Sequence, residues 1–179
     1  MVCEADECLF KRGTCYILIY VDDLLIAART MAHADTGQSV MTDAFKCKTM
    51  GAPTYFLGLH IDRDVKGQTL RLHQRQYVAT LLTRFGLADA NPVLLPMGIG
   101  VHVAKQGVWL DAALTKVYQE LVGALLYLST STRPEITYAV GRLTRFVAAP
   151  TKEHLAAGKV VLRYLKGCAD FGLRYTSKG

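Results

Sequence analysis

The chain has 179 residues, a net charge of +6 and 51% apolar residues, which suffices for one or two domains with a sizeable core. No apolar stretch is long enough to cross a bilayer, because two aspartates interrupt the run from Ile17 to Ala28. The five cysteines are odd in number and lack the paired spacing of a zinc site, which favours reduced thiols. Acidic residues follow Met1 and no secretory or mitochondrial signal is visible, so we expect an intracellular protein that is not secreted and has no membrane partner.

The first predicted element is a β-hairpin that carries two adjacent aspartates, Asp22 and Asp23, near its tip. They separate two runs rich in β-branched and aromatic residues, a pattern that favours a hairpin over a helix. Two carboxylates at such a tip repel each other unless a cation offsets their charge, and Mg²⁺ prefers carboxylate oxygens. The sequence therefore indicates a divalent-cation site, with a plain solvated turn as the alternative.

A helix and a second hairpin are predicted next. The helix covers 32–50, and its apolar stripe at helical spacing consists of Val40, Met41, Ala44 and Phe45. Residues 54–64 and 69–73 are predicted strands joined by a turn at 66–68. A short helix over 76–85 ends at Gly86.

The second half of the chain is predicted to be helical. Prolines and glycines punctuate 91–110, which makes this stretch the best candidate for a linker. Three helices follow, over 115–130, 134–148 and 151–166, and Pro134 fits the first turn of the second.

Charge divides along the chain. Up to Leu70 there are seven Lys and Arg against nine Asp and Glu, a net charge of −2, whereas from Arg71 onward there are fourteen against six, a net charge of +8. On the last helix, one basic stripe comprises Lys152, Lys159, Arg163 and Lys166. A basic stripe on a basic body suits a nucleic-acid backbone, and a solvated helix face is the alternative.

Four further residues are assigned structural roles. His154 lies near a helix start and has no second His one turn later, so packing or capping is expected rather than metal binding. Arg133 precedes a helix start, where we expect a structural role. Tyr118 and Tyr127 lie in an apolar helix and are expected in the core.

The string Ile19-Tyr20-Val21-Asp22-Asp23-Leu24-Leu25-Ile26 resembles the signature of reverse transcriptases, in the version carried by copia-type retrotransposon polyproteins. Other blocks resemble this family in the same order along the chain. They are Tyr55-Phe56-Leu57-Gly58-Leu59-His60-Ile61, Leu81-Leu82-Thr83-Arg84-Phe85-Gly86-Leu87, Pro96-Met97, Tyr118 with Val122-Gly123-Ala124-Leu125-Leu126-Tyr127-Leu128, Thr132-Arg133-Pro134-Glu135-Ile136, Arg145-Phe146, Pro150, His154 and Leu162-Arg163-Tyr164-Leu165-Lys166-Gly167.

Two positions and one segment depart from the family pattern. The family usually has Asp where Glu135 stands and Trp where Leu155 stands. Residues 47–51 replace a segment that more often reads Met-Lys-Asp-Leu-Gly. These changes suggest divergence, and none of them touches the aspartate pair.

The resemblance implies an α+β fold. A partial palm with the Tyr-Val-Asp-Asp hairpin and a primer-grip-like hairpin would occupy 1–90, a linker 91–114, and a helical thumb- or connection-like region 115–179. In the complete family, two-metal nucleotidyl transfer uses Mg²⁺ or Mn²⁺, a template-primer of RNA or DNA, and dNTP. Asp22 would be the principal catalytic metal ligand, and Asp23 would give closer support to the second metal position. Tyr20 and Val21 would lie near the primer or nucleotide, and packing beneath the active site is the alternative for Tyr20.

The resemblance also implies that something is missing. The family carries another catalytic aspartate upstream of this hairpin, with the fingers and the first half of the palm, and we expect the chain alone to be inactive. The alternatives are a non-catalytic nucleic-acid-binding remnant and a truncated retroelement product. The missing fingers and palm of the polyprotein would be a partner. The family context predicts a cytoplasmic location, in a virus-like particle, or a nuclear one.

Overall fold

The computed structural model describes residues 2–4, 6–98 and 107–177, and the chain divides into two compact units, Met1–Phe56 and Leu57–Gly179. Part of the predicted linker, residues 99–106, lies outside the described residues. The mixture of antiparallel sheets and helices confirms the predicted combination of α and β structure. No helix in the described ranges is long and apolar enough to cross a membrane.

The first unit is an antiparallel sheet followed by one helix. Its strands are β1 (Val2–Cys3), β2 (Asp6–Arg12), β3 (Cys15–Tyr20) and β4 (Asp23–Ala28), in spatial order β1-β2-β3-β4. Helix α1 (Met31–Ala44) comes next, and the short strand β5 (Tyr55–Phe56) ends the unit. The predicted hairpin is confirmed, since β3 and β4 pair over their whole length, from Cys15 opposite Ala28 to Tyr20 opposite Asp23.

Helix α1 lies over one face of this hairpin. A Cβ added at Gly37 would lie 3.1 Å from Cys15 Sγ and 3.5 Å from Ile26 Cγ2, so the helix covers the face that bears these two side chains. The helix predicted over 32–50 ends at Ala44, and of its predicted stripe Met41 is half-buried whereas Val40 and Phe45 are 50% and 61% exposed. The half-buried positions of α1 are its small residues Ala34 and Gly37, together with Met41. Small side chains let the helix approach the sheet, and hydrophobicity alone therefore misplaced the contact face.

The second unit contains the remaining elements. They are β6 (Leu59–Asp64), β7 (Thr69–His73), α2 (Arg75–Arg84), α3 (Ala112–Ser131), a 3-10 turn (Pro134–Ile136), α4 (Thr137–Thr144), α5 (Lys152–Gly167) and β8 (Gly172–Thr176). Most predicted helices and strands are present with shifted ends, but the strand predicted over 54–64 is broken into β5 and β6 by Leu57 and Gly58, both of positive φ. The helix predicted over 134–148 is a 3-10 turn followed by a shorter α-helix. Strand β8, which was not predicted, pairs antiparallel with β7, so the strand order is β6-β7-β8.

The core of the molecule lies in the second unit. Its buried apolar side chains come from α2, α3, the 3-10 turn, α4 and α5. A Cβ added at Gly158 of α5 would lie 2.7 Å from Leu121 Cδ2, so the glycine permits close contact between α5 and α3. Buried Tyr118 donates a hydrogen bond to the carbonyl of Leu143 at 2.8 Å, and burial raises the pKa of Tyr118 to about 12.

The boundary between the compact units lies at 56/57, whereas the sequence divided the chain at 90 and 114. The hairpin β6–β7 and helix α2 belong to the same unit as α3–α5, because Val78 and Leu81 of α2 lie in the helical core. The division into palm, linker and thumb concerns roles and stays a prediction.

Candidate active site

The aspartate pair lies at the tip of the β3–β4 hairpin. Tyr20 is directly opposite Asp23, so Val21 and Asp22 form a two-residue turn and Asp23 is the first residue of β4. Two-residue hairpin turns match the twist of the flanking strands when the first central residue, or both, has positive φ. The backbone thus holds the two carboxylates on neighbouring residues at a fixed, tight bend.

Val21 occupies the strained position of this turn. Its φ is +54°, which is a genuine outlier for a β-branched residue, and Gly is the usual choice there. Such a conformation costs about 1 to 3 kcal/mol and is concentrated at functional sites. The Val21 side chain is 82% exposed, so no packing in the described structure requires valine at this position.

Both carboxylates are exposed. The ion pairs between described residues involve neither Asp22 nor Asp23. In the part of the chain that the structure describes, the two neighbouring carboxylates therefore stand at the tip without an ion-paired cationic side chain. A bound cation would offset the repulsion between two such charges, and a solvated turn stays the alternative.

Tyr20 and Asp23 lie on the hairpin face opposite α1. Side chains alternate along a strand, and α1 covers the face that carries Cys15 and Ile26. Tyr20 is 55% exposed on the other face, beside Asp23. The tyrosine ring is therefore accessible beside the carboxylate rather than packed in a core.

The sequence model of the reverse transcriptase (RNA-dependent DNA polymerase) family matches residues 4–99, which include the whole hairpin. The chain belongs to the reverse transcriptase family. Its relatives include the Pol polyprotein from transposon RE1 of Arabidopsis thaliana, which is 38% identical over 92% of this chain and 11% of its own length. Another is the Pol polyprotein from transposon TNT 1-94 of Nicotiana tabacum, 34% identical over 94% of this chain and 14% of its own length. These similarities confirm the resemblance to copia-type Pol polyproteins.

The chain spans 11% and 14% of the lengths of these two polyproteins. A relative of more similar size is an uncharacterized mitochondrial protein of Arabidopsis thaliana, which is 33% identical over 88% of this chain and 64% of its own length. No solved structure matches the chain.

Members of the reverse transcriptase family generally use divalent metals. Mg²⁺ requires near-octahedral oxygen coordination and normally combines one or two carboxylates with water and substrate phosphates. In the described part of the chain, no three His, Cys, Asp or Glu side chains are placed to hold a metal ion together. Among the described residues, no third ligand side chain therefore stands with the aspartate pair, and these residues do not by themselves fit the family's metal.

The family block 132–136 is structural. Arg133 is 1% exposed, its Nε donates to Glu135 Oε1 at 2.6 Å, and its guanidinium also contacts the Cys168 sulfur. Thr132 donates to buried Gln74 Oε1 at 2.9 Å, which joins the start of α2 to the end of α3. The structural role predicted for Arg133 is confirmed, and Glu135 serves as its carboxylate partner.

His154 caps α5. The backbone N–H of Thr151 donates to His154 Nδ1 at 2.8 Å, and the imidazole stacks on Phe146 with ring centroids 4.0 Å apart. The predicted capping and packing role is confirmed. Tyr118 is buried as predicted, but placing Tyr127 in the core was wrong, because this side chain is 39% exposed.

Tyr127 instead fixes the loop before β6. Its hydroxyl donates to the carbonyl of Leu57 at 3.2 Å, and a Cβ added at Gly58 would lie 2.6 Å from the same hydroxyl oxygen. Gly58 also has a φ of +83°, so only glycine fits this position without strain. The backbone conformation and the neighbouring tyrosine therefore explain why the family block 55–61 contains a glycine here.

The basic stripe of α5 is divided by its contacts. Arg163 Nε donates to the carbonyl of Asn91 at 2.7 Å, and Lys166 Nζ donates to the carbonyls of Ala88 and Ala90, the latter at 2.9 Å. Lys152 is exposed and Lys159 is half-buried. Two of the four predicted residues thus hold the 88–91 loop, and nucleic-acid binding by the stripe stays a prediction.

A cavity of about 610 Å³ in the second unit is lined by Arg71, Tyr164 and residues of 132–135 and 170–174. Neither aspartate of the hairpin lines it. The features that sequence reasoning missed are the positive φ of Val21 and the tyrosine that holds Gly58. Gly58 is a sequence signal for the close approach of Tyr127, whereas a valine at position 21 gives no sign of a positive φ.

Proposed function

We propose that the chain is part of an RNA-directed DNA polymerase of a copia-type retrotransposon, with Asp22 and Asp23 as its metal-binding carboxylates. One observation carries the proposal: a strained two-residue turn presents an exposed carboxylate pair within the region that matches the reverse transcriptase family. A conformation that costs energy and gains no packing is expected where function selects it.

The proposed roles follow from position. Asp22, in the turn, is the principal ligand for Mg²⁺ or Mn²⁺. Asp23, at the start of β4, gives closer support to the second metal position. Tyr20 and Val21 are exposed beside the carboxylates and flank the primer end or the incoming dNTP. The partial palm would cover 1–90, the linker 91–114 and the thumb-like region 115–179.

The 179 residues alone do not polymerise in this proposal. Two carboxylates leave most of an octahedral shell to water, and catalysis needs metals held in one geometry. The third carboxylate would come from residues outside this segment, in the fingers and palm of the polyprotein.

A second candidate function is nucleic-acid binding without chemistry. The charge of +8 from Arg71 onward favours it. So does Gly123, an exposed glycine in the middle of α3 whose added Cβ would meet nothing within 4 Å. A mid-helix glycine costs about 1 kcal/mol relative to alanine, and internal packing gives no reason for it. Close approach of an external template-primer would supply one.

Primer extension tests the polymerase proposal. The chain alone should incorporate no dNTP on a homopolymer template with Mg²⁺ or Mn²⁺. A chimera in which this chain replaces the matching segment of the RE1 reverse transcriptase should incorporate, and Asp22→Asn should abolish incorporation. Asp43→Asn, an exposed aspartate on α1, is the matched control and should leave it unchanged. Activity of the Asp22→Asn chimera equal to that of the parent would refute the catalytic role.

Binding to an RNA–DNA hybrid tests the second candidate. The affinity of the isolated chain should fall linearly on a log–log plot against salt, because phosphate contacts release counterions. Gly123→Ala and the double variant Lys152→Gln/Lys159→Gln should weaken binding, whereas Asp22→Asn should not. Binding by an otherwise inactive chimera would favour the binding function over the polymerase.

A further inference from the structure

Cys168 directly follows α5 and lies beside a buried arginine of the second unit. Its sulfur accepts a hydrogen bond from Arg133 Nη2 at 2.7 Å, and its thiol donates to the carbonyl of Tyr164 at 3.2 Å. Arg133 is 1% exposed, whereas Cys168 is half-buried. A buried cation therefore faces a sulfur atom that small solutes can still reach.

The guanidinium of Arg133 carries a donor that is not used. Its Nε donates to Glu135 Oε1 at 2.6 Å and its Nη2 to Cys168, but Nη1 is buried and has no hydrogen-bond partner among the described residues. A buried donor without a partner is destabilising, most of all on a charged group. A neutral thiol is only a weak acceptor, so Cys168 does not compensate for the missing partner.

A cavity adjoins these side chains. Glu135, which binds Arg133, and Tyr164, which binds Cys168, both line the cavity of about 610 Å³. Phe171 lines it as well, and its ring centroid lies 5.9 Å from Arg133 Cζ. Since a water molecule occupies about 30 Å³ in the liquid, the cavity has room for hydrogen peroxide beside the cysteine.

We propose that Cys168 is a site of reversible oxidation by peroxide to sulfenic acid, and that Arg133 binds the added oxygen. The sulfur attacks one oxygen of hydrogen peroxide, so that an S–O bond forms and the O–O bond breaks. The sulfur is oxidised and the peroxide is reduced, while the thiol proton joins the departing hydroxide to give water. The new oxygen is bonded to the atom that Nη2 already contacts, and it is the acceptor that Nη1 lacks.

The surroundings favour both the attack and its reversal. The guanidinium stabilises the negative charge that develops on the sulfur while the S–O bond forms. The carboxylate of Glu135 offsets part of this positive charge, but it binds Nε rather than the Nη2 that contacts the sulfur. Cys168 is the single cysteine of the second unit, so its sulfenic acid finds no thiol within that unit to form a disulfide. Two equivalents of an external thiol return it to cysteine, with water and the disulfide of that thiol as products.

Peroxide treatment of the full chain tests the proposal. Cys8 in β2 is exposed and provides the comparison within the same molecule. If exposure governed oxidation, Cys8 would react first. Because of Arg133, dimedone trapping of sulfenic acid should instead show Cys168 reacting at least about tenfold faster than Cys8. Peptide mass spectrometry measures both rates, and dithiothreitol added before dimedone should remove the label. Equal or faster labelling of Cys8 would overturn the proposal.

Replacement of the arginine tests the cause. Arg133→Met should lower the oxidation rate of Cys168 at least about tenfold. Arg174→Met is the matched control, because it removes the same charge from an exposed arginine of β8, and it should leave the rate unchanged. Far-UV circular dichroism should confirm that both variants fold. An unchanged rate in folded Arg133→Met contradicts the proposal, and if that variant does not fold, the comparison of Cys168 with Cys8 decides.

Thermal unfolding tests whether Arg133 binds the added oxygen. Trp109 is the single tryptophan and lies in the second unit, so its fluorescence reports the unfolding of that unit. Oxidation of Cys168 should raise the midpoint by about 2 to 4 °C, because Nη1 gains its missing acceptor. Cys168→Ser cannot form sulfenic acid, so peroxide should not shift its midpoint. An unchanged or lower midpoint after oxidation of the parent chain would show that Arg133 does not bind the oxygen. The inference does not depend on polymerase activity.

Discussion

The two units of the molecule use apolar residues differently. Sixteen apolar side chains are buried among the described residues of the second unit, whereas none is buried in the first. In the second unit, helices surround one another and enclose a core. In the first, one helix covers one face of a small sheet, and the described side chains of both layers are at most half-buried. Apolar content therefore does not make a core unless a second layer covers each apolar face.

Truncation of one leucine in each unit should reveal the largest difference between the units, in the stability that is lost. Leu125, fully buried in α3, should lose about 2 to 5 kcal/mol of stability on Leu125→Ala, because a cavity remains. Leu25→Ala removes the same atoms from a half-buried position of β4 and should cost much less, about 1 kcal/mol. Hydrogen exchange by mass spectrometry, resolved by unit, measures both. Equal losses would mean that the first unit has a core equivalent to that of the second.

Two glycines of the second unit sharpen the contrast between packed and open positions. Gly158→Ala would force a methyl group against Leu121 and should destabilise by about 1 to 3 kcal/mol. Gly123→Ala, on an open helix surface, should instead stabilise by about 0.5 to 1 kcal/mol. Urea unfolding of the two variants, each the control for the other, should give opposite signs. Destabilisation by both would show that Gly123 also has an internal packing role.

The first unit should gain stability where its turn is strained. Val21→Gly replaces a β-branched residue at a φ of +54° and should stabilise the β3–β4 hairpin by about 1 kcal/mol. Slower amide exchange in both strands would be the signature. Val21→Ala keeps a Cβ at this φ and serves as the control, with a smaller gain. Faster amide exchange in the glycine variant would show that Val21 stabilises the hairpin despite its positive φ.

Local patterns predicted those elements whose cause is local. The β3–β4 hairpin follows from apolar runs on either side of two aspartates, and α5 follows from its spacing and caps. Strand β8 was missed because its partner β7 lies about a hundred residues earlier, as in the pairing of Arg71 with Arg174. Such pairing leaves little mark on the sequence of either strand.

The candidate site was predictable in composition but not in conformation. The Asp22–Asp23 pair was located from sequence, whereas the positive φ of Val21 contradicts the preference of valine and is imposed by the tight turn. The helical spacing of residues in α5 placed four basic residues on one stripe. It carried no information on the 88–91 carbonyls that bind Arg163 and Lys166, because those belong to a distant loop.

The smallest effect expected concerns pH and is confined to the second unit. His73 pairs with His60 across β6 and β7, and its Nε2 lies 3.3 Å from Asp62 Oδ2. Burial lowers the pKa of His73 below its ordinary value of 6.5, and the negative charge of Asp62 opposes this shift. The unfolded chain therefore binds a proton at a higher pH than the folded chain does. Stability should fall as the pH decreases from 6.5 toward the lowered pKa of folded His73.

Asp62→Asn tests whether the charge of Asp62 opposes the lowering of the His73 pKa. The amide removes the charge that holds the His73 pKa up, so the pKa should fall further and the loss of stability should extend to lower pH. NMR titration of the imidazole measures the shift directly, and urea unfolding between about pH 7 and 5 measures its consequence. His73→Asn should remove this part of the pH dependence altogether. A His73 pKa above 6.5, or one that rises in Asp62→Asn, would show that burial does not dominate at this histidine.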